Sequence, residues 1–218
     1  MSTAVWVVAV NDYLPDLCAV TFPNLQEFAD RLGAEFKVIR DRKFPTFPPS
    51  YEKLQIHELG RDYDWNILID ADIIIHPDMP DPRTRTGKSS LGVYYGYDLR
   101  VAMKRMDPYM ISYAKAHHNR FHGVVTNFLV SGRAVHDIWT PLDVSFEECK
   151  DWCCRPHILD EYAVSRNLGQ FNIPYKAFLL ESEQWLVYHI NAENRNVDGE
   201  KPYLDSLNKA KALLKEWE

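Results

Sequence analysis

Trp65-Asn66-Ile67-Leu68-Ile69-Asp70-Ala71-Asp72 is the stretch on which the reading of this chain turns. An apolar run of strand length stops at two carboxylates separated by one small residue, and a second apolar run, Ile73-Ile74-Ile75, follows. Short apolar runs bounded by turn residues read as buried strands. In parallel α/β sheets, ligands bind outside the carboxyl ends of the strands, which is where Asp70 and Asp72 fall. Two neighbouring carboxylates repel each other, and burying them unpaired is costly. A divalent cation removes both difficulties, and carboxylate oxygens suit Mg²⁺ or Mn²⁺. Asp70 and Asp72 are therefore candidate metal ligands, with Ala71 keeping the turn small enough for a ligand to approach. The alternative is an acidic strand end with no ligand, since Asp is common in turns. The apolar runs on both sides and the Pro77-Asp78 turn beyond them favour a site.

Working outward, residues 3–10 are apolar and β-branched and read as a strand. Residues 15–32 carry Leu17, Val20, Leu25, Phe28, Ala29 and Leu32 at helical spacing, with Gly33 as a stop. Residues 35–39 read as a second strand. The three prolines in 44–49 mark a loop, and Ser50 is placed to cap a helix ending near Leu59-Gly60. The order strand, helix, strand, helix, strand argues for a mostly parallel sheet with helices on its faces. Residues 77–90 read as a loop. Strands are expected at 91–97, 124–131, 173–180 and 185–190. Helices are expected at 107–118, 133–139, 145–152, 158–168 and 201–217. The last helix carries an apolar stripe that includes Leu207, Ala210 and Leu214.

The chain has 218 residues, 46% of them hydrophobic and 26% charged, enough for one domain with a core of its own. The net charge is -6, and Lys and Arg are scattered, so nucleic acid is an unsuitable partner and a small metabolite a better one. Cys18, Cys149, Cys153 and Cys154 fit no zinc spacing and read as free thiols of a reducing compartment. No apolar run reaches the length of a membrane span, and the N-terminus lacks the pattern of a signal peptide. The expectation is a cytoplasmic protein, with room for fused or associated domains.

Residues 51–81, YEKLQIHELGRDYDWNILIDADIIIHPDMPD, resemble the region around the DxD motif of GT-A-fold glycosyltransferases. They are most similar to the glycogenin-like family of retaining enzymes and its small bacterial and viral relatives. The resemblance is clearest over those roughly thirty residues. It implies a GT-A-like (Rossmann-like) α/β domain spanning 1–218. About 1–100 would form the nucleotide-sugar half and about 101–218 the acceptor half. It also implies a metal-dependent glycosyltransferase that takes a nucleotide-sugar donor, by default a uridine diphosphate sugar, to a carbohydrate or glycoconjugate acceptor.

Residue by residue, the resemblance places Val10, Asn11 and Tyr13 at the nucleoside, with Tyr13 a stacking partner. Lys53 matches a basic residue that faces the donor. Thr126-Asn127-Phe128-Leu129-Val130-Ser131-Gly132 resembles the segment whose Asn lines the sugar pocket, with the small residues falling later here. Asp160-Glu161 resembles the acidic pair that meets the donor sugar or the acceptor hydroxyl. His189 resembles the third metal ligand. The family's glycine after that histidine is missing, because Ile190-Asn191-Ala192 follows, and Lys201-Pro202-Tyr203 comes later than its phosphate-binding Lys.

From the residues alone, Asp160 and Glu161 point in different directions on a helix, so one of them faces a site. They would act as general base if the reaction inverts, or stabilise the developing sugar cation if it retains. Acids decorating a helix N-terminus are the alternative. His117, His118 and His122 read as an exposed polar helix end. Gly87-Lys88-Ser89 is not a phosphate loop, since Pro82 stands where the upstream glycine belongs. Rival readings are a haloacid-dehalogenase-like phosphatase, a sugar-nucleotide pyrophosphorylase and a non-catalytic nucleotide-sugar-binding module.

Overall fold

A computed structural model describes residues 1–94, 96–97, 123–153, 155–190 and 200–217. The helix expected at 107–118, the cluster of His117, His118 and His122, Cys154 and the side chain of Lys201 lie outside the described residues.

The first half of the chain holds β1 (Thr3–Val8), α1 (Pro15–Arg31) and β2 (Glu35–Ile39). A 3-10 helix (Pro49–Gln55) then runs into α2 (Ile56–Leu59), followed by β3 (Trp65–Ile69), β4 (Ile73–Ile75), α3 (Pro82–Thr86) and β5 (Leu91–Val93). The second half holds β6 (Gly96–Tyr97), β7 (Gly123–Val124), β8 (Phe128–Gly132), a 3-10 helix (Arg133–Trp139), α4 (Phe146–Trp152) and α5 (Leu159–Gln170). It continues through β9 (Tyr175–Ala177), a 3-10 turn (Glu181–Leu186), β10 (Val187–His189) and α6 (Glu200–Trp217).

The central sheet has six strands in the order β2-β1-β3-β8-β5-β9. β1 pairs parallel with β2 and β3, β5 pairs parallel with β9, and β8 runs antiparallel to both of its neighbours. The mixed α/β class with a mostly parallel sheet and flanking helices is the expected one. Strand alternation divides the core. Val5, Val7, Ile67 and Ile69 face α1 through Leu25, Phe28 and Ala29. Ala4, Trp6, Leu68 and Leu129 face the other layer, through Trp139, Tyr162 and Ala163. Indole Nε1 of Trp6 donates to Asn66 at 2.8 Å, and Asn66 donates on to the Gly60 carbonyl, which satisfies both of these buried side chains.

Several element boundaries differ from expectation. Ser50 does not cap a helix. Pro48 is the N-cap residue, and the Ser50 hydroxyl instead donates to the His157 carbonyl at 2.9 Å. The supposed loop 77–90 contains α3, because Asp81 caps it by accepting from the Arg83 amide and Pro82 occupies its first turn. The stretches 91–97 and 124–131 each divide between the main sheet and the small pair β6–β7. Trp185 and Leu186 lie in a 3-10 turn before β10, and the strand expected at 173–180 shortens to β9. Arg133–Trp139 is a 3-10 helix with a kink at Val135.

Gly132, the last residue of β8, lies against the Lys88 backbone. A Cβ there would meet the Lys88 carbonyl oxygen at 2.6 Å. Because that neighbour is backbone, Gly132→Ala is expected to destabilise by about 1–3 kcal/mol. A thermal melt checks it: for a chain of this size each kcal/mol moves the midpoint roughly 2–4 °C.

Candidate metal and donor site

Three strand ends converge on one edge of the sheet. β1 and β3 are parallel neighbours, so Val10-Asn11-Asp12-Tyr13 and Asp70-Ala71-Asp72 leave the sheet side by side. β8 is reversed, so Thr126 and Asn127, which precede it, fall at the same edge, and the Asp70 amide donates to the Asn127 carbonyl at 2.7 Å. The Thr21 hydroxyl of α1 donates to the Ala71 carbonyl at 2.7 Å and fixes the turn between the two aspartates. Thus Ala71 is tied down by its backbone and its side chain is buried.

The fourth contribution comes from a separate two-stranded ribbon. β10 pairs antiparallel with β4, setting His189 opposite Ile73, and the Ile190 amide donates to the Asp72 carbonyl at 2.8 Å. This brings His189 Nε2 to 3.1 Å from Asp72 Oδ2. Asp70, Asp72 and His189 each present a ligand atom, all within 4.8 Å of one another. The three metal residues expected from the sequence are thus brought together, although His189 lies 117 residues after Asp72.

Behind the triad is a buried ionic network. Lys53, only 7% exposed, places Nζ 2.7 Å from Asp70 Oδ1 and 3.0 Å from Asp160 Oδ2. It also donates to the Thr126 hydroxyl at 3.1 Å, and that hydroxyl donates in turn to Asp160. Lys53 is held there by its 3-10 helix. The adjacent Glu52 is fully buried and accepts from Arg42, from the Lys43 and Phe44 amides and from Gln55, which pins the helix against the proline loop. Asp160 sits in the first turn of α5 and is 2% exposed, whereas Glu161 is half-buried. Of the acidic pair it is Asp160 that enters the network. Asn127 is 6% exposed, and its side-chain Oδ1 is a buried acceptor with no partner among the described residues.

The edge at β1 is conformationally unusual. Asn11, Asp12 and Leu14 have φ of 56°, 52° and 33°, all in the left-handed region. Asn and Asp tolerate it, but a leucine there is strained. Val10 is buried, Asn11 exposed and Tyr13 half-buried, packed between α1 and α6.

The electrostatics follow from these positions. Burial pushes the Asp70 carboxyl up to about 6, against the pull of Lys53 and with a further push from Asp72. Burial opposes the charge on Lys53, but the carboxylates of Asp160 and Asp70 outweigh it and raise its pKa above the ordinary value. Burial also opposes the Asp160 carboxylate, yet Lys53 and the Thr126 hydroxyl hold its pKa below the usual carboxylate range. His189 is desolvated, but its hydrogen bond to Asp72 and the charge of that carboxylate raise its pKa. With His189 neutral, three carboxylates and one ammonium leave two negative charges in a largely buried site. A divalent cation matches that charge, and two carboxylates with one imidazole are a donor set such an ion accepts. The residues present therefore fit a metal.

A metal bound at this triad would compete with protons. Asp70 with a pKa of about 6, and His189 above its ordinary 6.5, both hold protons at acid pH. Without metal, the raised Asp70 pKa makes its ionisation unfavourable to the fold once pH exceeds the ordinary 3.8. The raised His189 pKa gives stability that is full below 6.5 and lost as pH rises through its folded value. Both effects weaken the metal-free site as pH rises, and both favour metal there. Mn²⁺ affinity is therefore expected to fall at least about tenfold from near pH 7.5 to near pH 5.5, as measured by calorimetric titration. A pH-independent affinity would exclude both groups as ligands.

Thr126 stands in the segment quoted for the resemblance, which assigns it no role; only the fold shows that it joins Lys53 to Asp160.

No protein-family model matches this sequence, and no curated protein matches it. Solved structures are similar to it at low identity. A glycosyltransferase involved in the glycosylation of the major capsid of PBCV-1 is 10% identical, with 64% of this chain and 66% of that one covered and a TM-score of 0.40. The galactosyltransferase LgtC, in complex with donor and acceptor sugar analogs, is 13% identical, with 94% and 95% covered and a TM-score of 0.49. A Drosophila beta-1,4-galactosyltransferase 7 mutant, in complex with manganese, UDP-Gal and xylobiose, is 15% identical, with 61% and 50% covered and a TM-score of 0.32. The chain thus spans just under two thirds of the first of these and half of the third. At these scores the likeness is loose.

Proposed function

We propose that this chain is a metal-dependent glycosyltransferase that transfers a sugar from a nucleoside diphosphate donor to a hydroxyl. The observation that carries the reading is the convergence of Asp70, Asp72 and His189 at the carboxyl edge of the sheet, backed by the Lys53–Asp160 network.

Asp70, Asp72 and His189 would hold the ion, and the imidazole nitrogen favours Mn²⁺ over Mg²⁺. Bound there, it supplies Lewis-acid neutralisation of the departing diphosphate. The rest is done by the chain itself. Val10, Asn11 and Tyr13, beside the aspartates, take the nucleoside, with uridine the default from the resemblance to GT-A enzymes. Lys53 keeps Asp70 ionised and oriented toward the ion. The Asn127 Oδ1, buried and without a partner among the described residues, is an acceptor suited to a hydroxyl of the donor sugar. Asp160 is a poor general base, because its lowered pKa disfavours taking a proton. A carboxylate held ionised is suited instead to stabilising positive charge that develops on a sugar ring. Glu161 lies one residue outside that network, and its acceptor role rests on the resemblance alone. Lys201 is carried as a phosphate contact by the resemblance alone.

The test is turnover of a panel of nucleoside diphosphate sugars with Mn²⁺, following free nucleoside diphosphate and the transferred sugar. Metal-dependent release with one nucleotide class supports the reading. Hydrolysis of simple phosphomonoesters with no donor turnover would replace it with the phosphatase.

A further inference from the structure

The ribbon β4–β10 has a second end, away from the triad. Ile73, Ile75 and Val187 face the main core, while Ile74 and Tyr188 face α6. At the triad end, His189 pairs with Ile73; at the other end, Val187 pairs with Ile75 and the His76 amide donates to the Leu186 carbonyl. Beyond this second end a cavity of about 690 Å³ opens between the ribbon, the turn before β10 and the last turns of α6. It begins at Tyr188 and Val187, one to two residues along β10 from His189, or about 3–7 Å at the usual strand rise.

Its lining is aromatic with a charged rim. The His76 imidazole lies between two indoles, with ring centroids 4.8 Å from Trp185 and 4.7 Å from Trp217. Lys209 Nζ sits 5.1 Å from the centre of the Tyr188 ring. Asp78, Lys209 and Glu216 are exposed around it. Trp185 is 60% exposed and, with Trp217, gives the groove a contiguous aromatic surface. His76 Nδ1 accepts from the Asp78 amide at 3.0 Å, so the neutral ring carries its proton on Nε2.

We infer that this groove binds a neutral saccharide, with Trp185 and Trp217 as its ring-stacking walls. A pyranose presents an apolar C–H face and a rim of hydroxyls, which matches indole faces edged by hydrogen-bonding side chains. The rim mixes one cation with two anions and selects neither a polyanion nor a polycation. The groove is open to solvent on one side, and its volume is in the range of small-ligand sites. The inference goes beyond the transferase reading and does not depend on it: groove binding needs neither metal nor donor, so either can fail alone.

The test uses the full chain without metal, titrated with maltohexaose and with cellohexaose, read by tryptophan emission and by saturation-transfer NMR. The expected result is saturable binding of one of the two. Trp185→Ala should weaken it at least about tenfold, the change that corresponds to about 1.4 kcal/mol, and Asp72→Asn should leave it unchanged. The exposure of Trp185 makes its removal tolerable to the fold, and the melting midpoint checks that. No saturation transfer to either sugar overturns the inference. So does binding undiminished in Trp185→Ala, or self-association that depends on Trp185 without saccharide binding.

Discussion

Asp72→Asn is expected to abolish divalent-metal binding while the protein stays folded. Asp72 is 5% exposed, its Oδ2 lies 3.1 Å from His189, and it is the residue around which the triad closes. Loss of an outer partner of a metal site already costs about 10–100-fold in affinity, so loss of a ligand should cost at least about a hundredfold. The fold should survive because Asn keeps the shape and a hydrogen bond to His189. The anchoring contact, from the Ile190 amide to the Asp72 carbonyl, is made by backbone alone. The substitution also removes a charge that repels Asp70. Calorimetric titration with Mn²⁺, alongside a thermal melt, checks both halves. Unchanged affinity in the folded variant would remove Asp72 from the ligand set.

Lys53→Met is expected to be the most damaging single change to stability. The ammonium is shared by two buried carboxylates, 2.7 Å from Asp70 and 3.0 Å from Asp160, and Met fills its volume while removing its charge. The pair itself adds little net stability, because burying both charges is expensive. Removing one partner strands the other, and that typically costs about 3–5 kcal/mol. For a chain of this length the melting midpoint should fall by roughly 10 °C. Adding Asp160→Asn should recover part of the loss, since one stranded charge then disappears, and the coupling can be read from a double-mutant cycle. A Lys53→Met protein that melts with the wild type would mean the network carries no such strain.

How much of this was legible in the sequence varies by element. The run Trp65–Ile69 and the two aspartates after it could be read directly, because paired acids at the end of a buried strand need something to neutralise them. Alternation of apolar runs with helical spacing likewise marked out β1, α1, β2 and the parallel half of the sheet. The reversal of β8 could not be read, since strand direction leaves no mark on local pattern, yet that reversal is what delivers Asn127 and Thr126 to the site. α3 was hidden behind its proline, although Asp81-Pro82 is a helix start as well as a loop signal. Trp185 and Leu186 read as strand because they are apolar. In the fold Trp185 is exposed in a 3-10 turn, and the groove that it lines is formed by tertiary structure. For Asp160, a buried partner and a decorated helix N-terminus look identical in sequence. Only the placement of Lys53, more than a hundred residues earlier, distinguishes them.

The central claim is that the edge formed by β1, β3 and β8 binds a nucleoside diphosphate sugar through a divalent ion. A thermal-shift panel of such donors, with and without Mn²⁺, tests it most directly. A donor at a hundred times its dissociation constant adds about 2.7 kcal/mol. The predicted result is a rise in melting midpoint for one nucleotide class that requires Mn²⁺ and vanishes in Asp72→Asn. No shift with any donor, or one that is the same without metal, would contradict the claim.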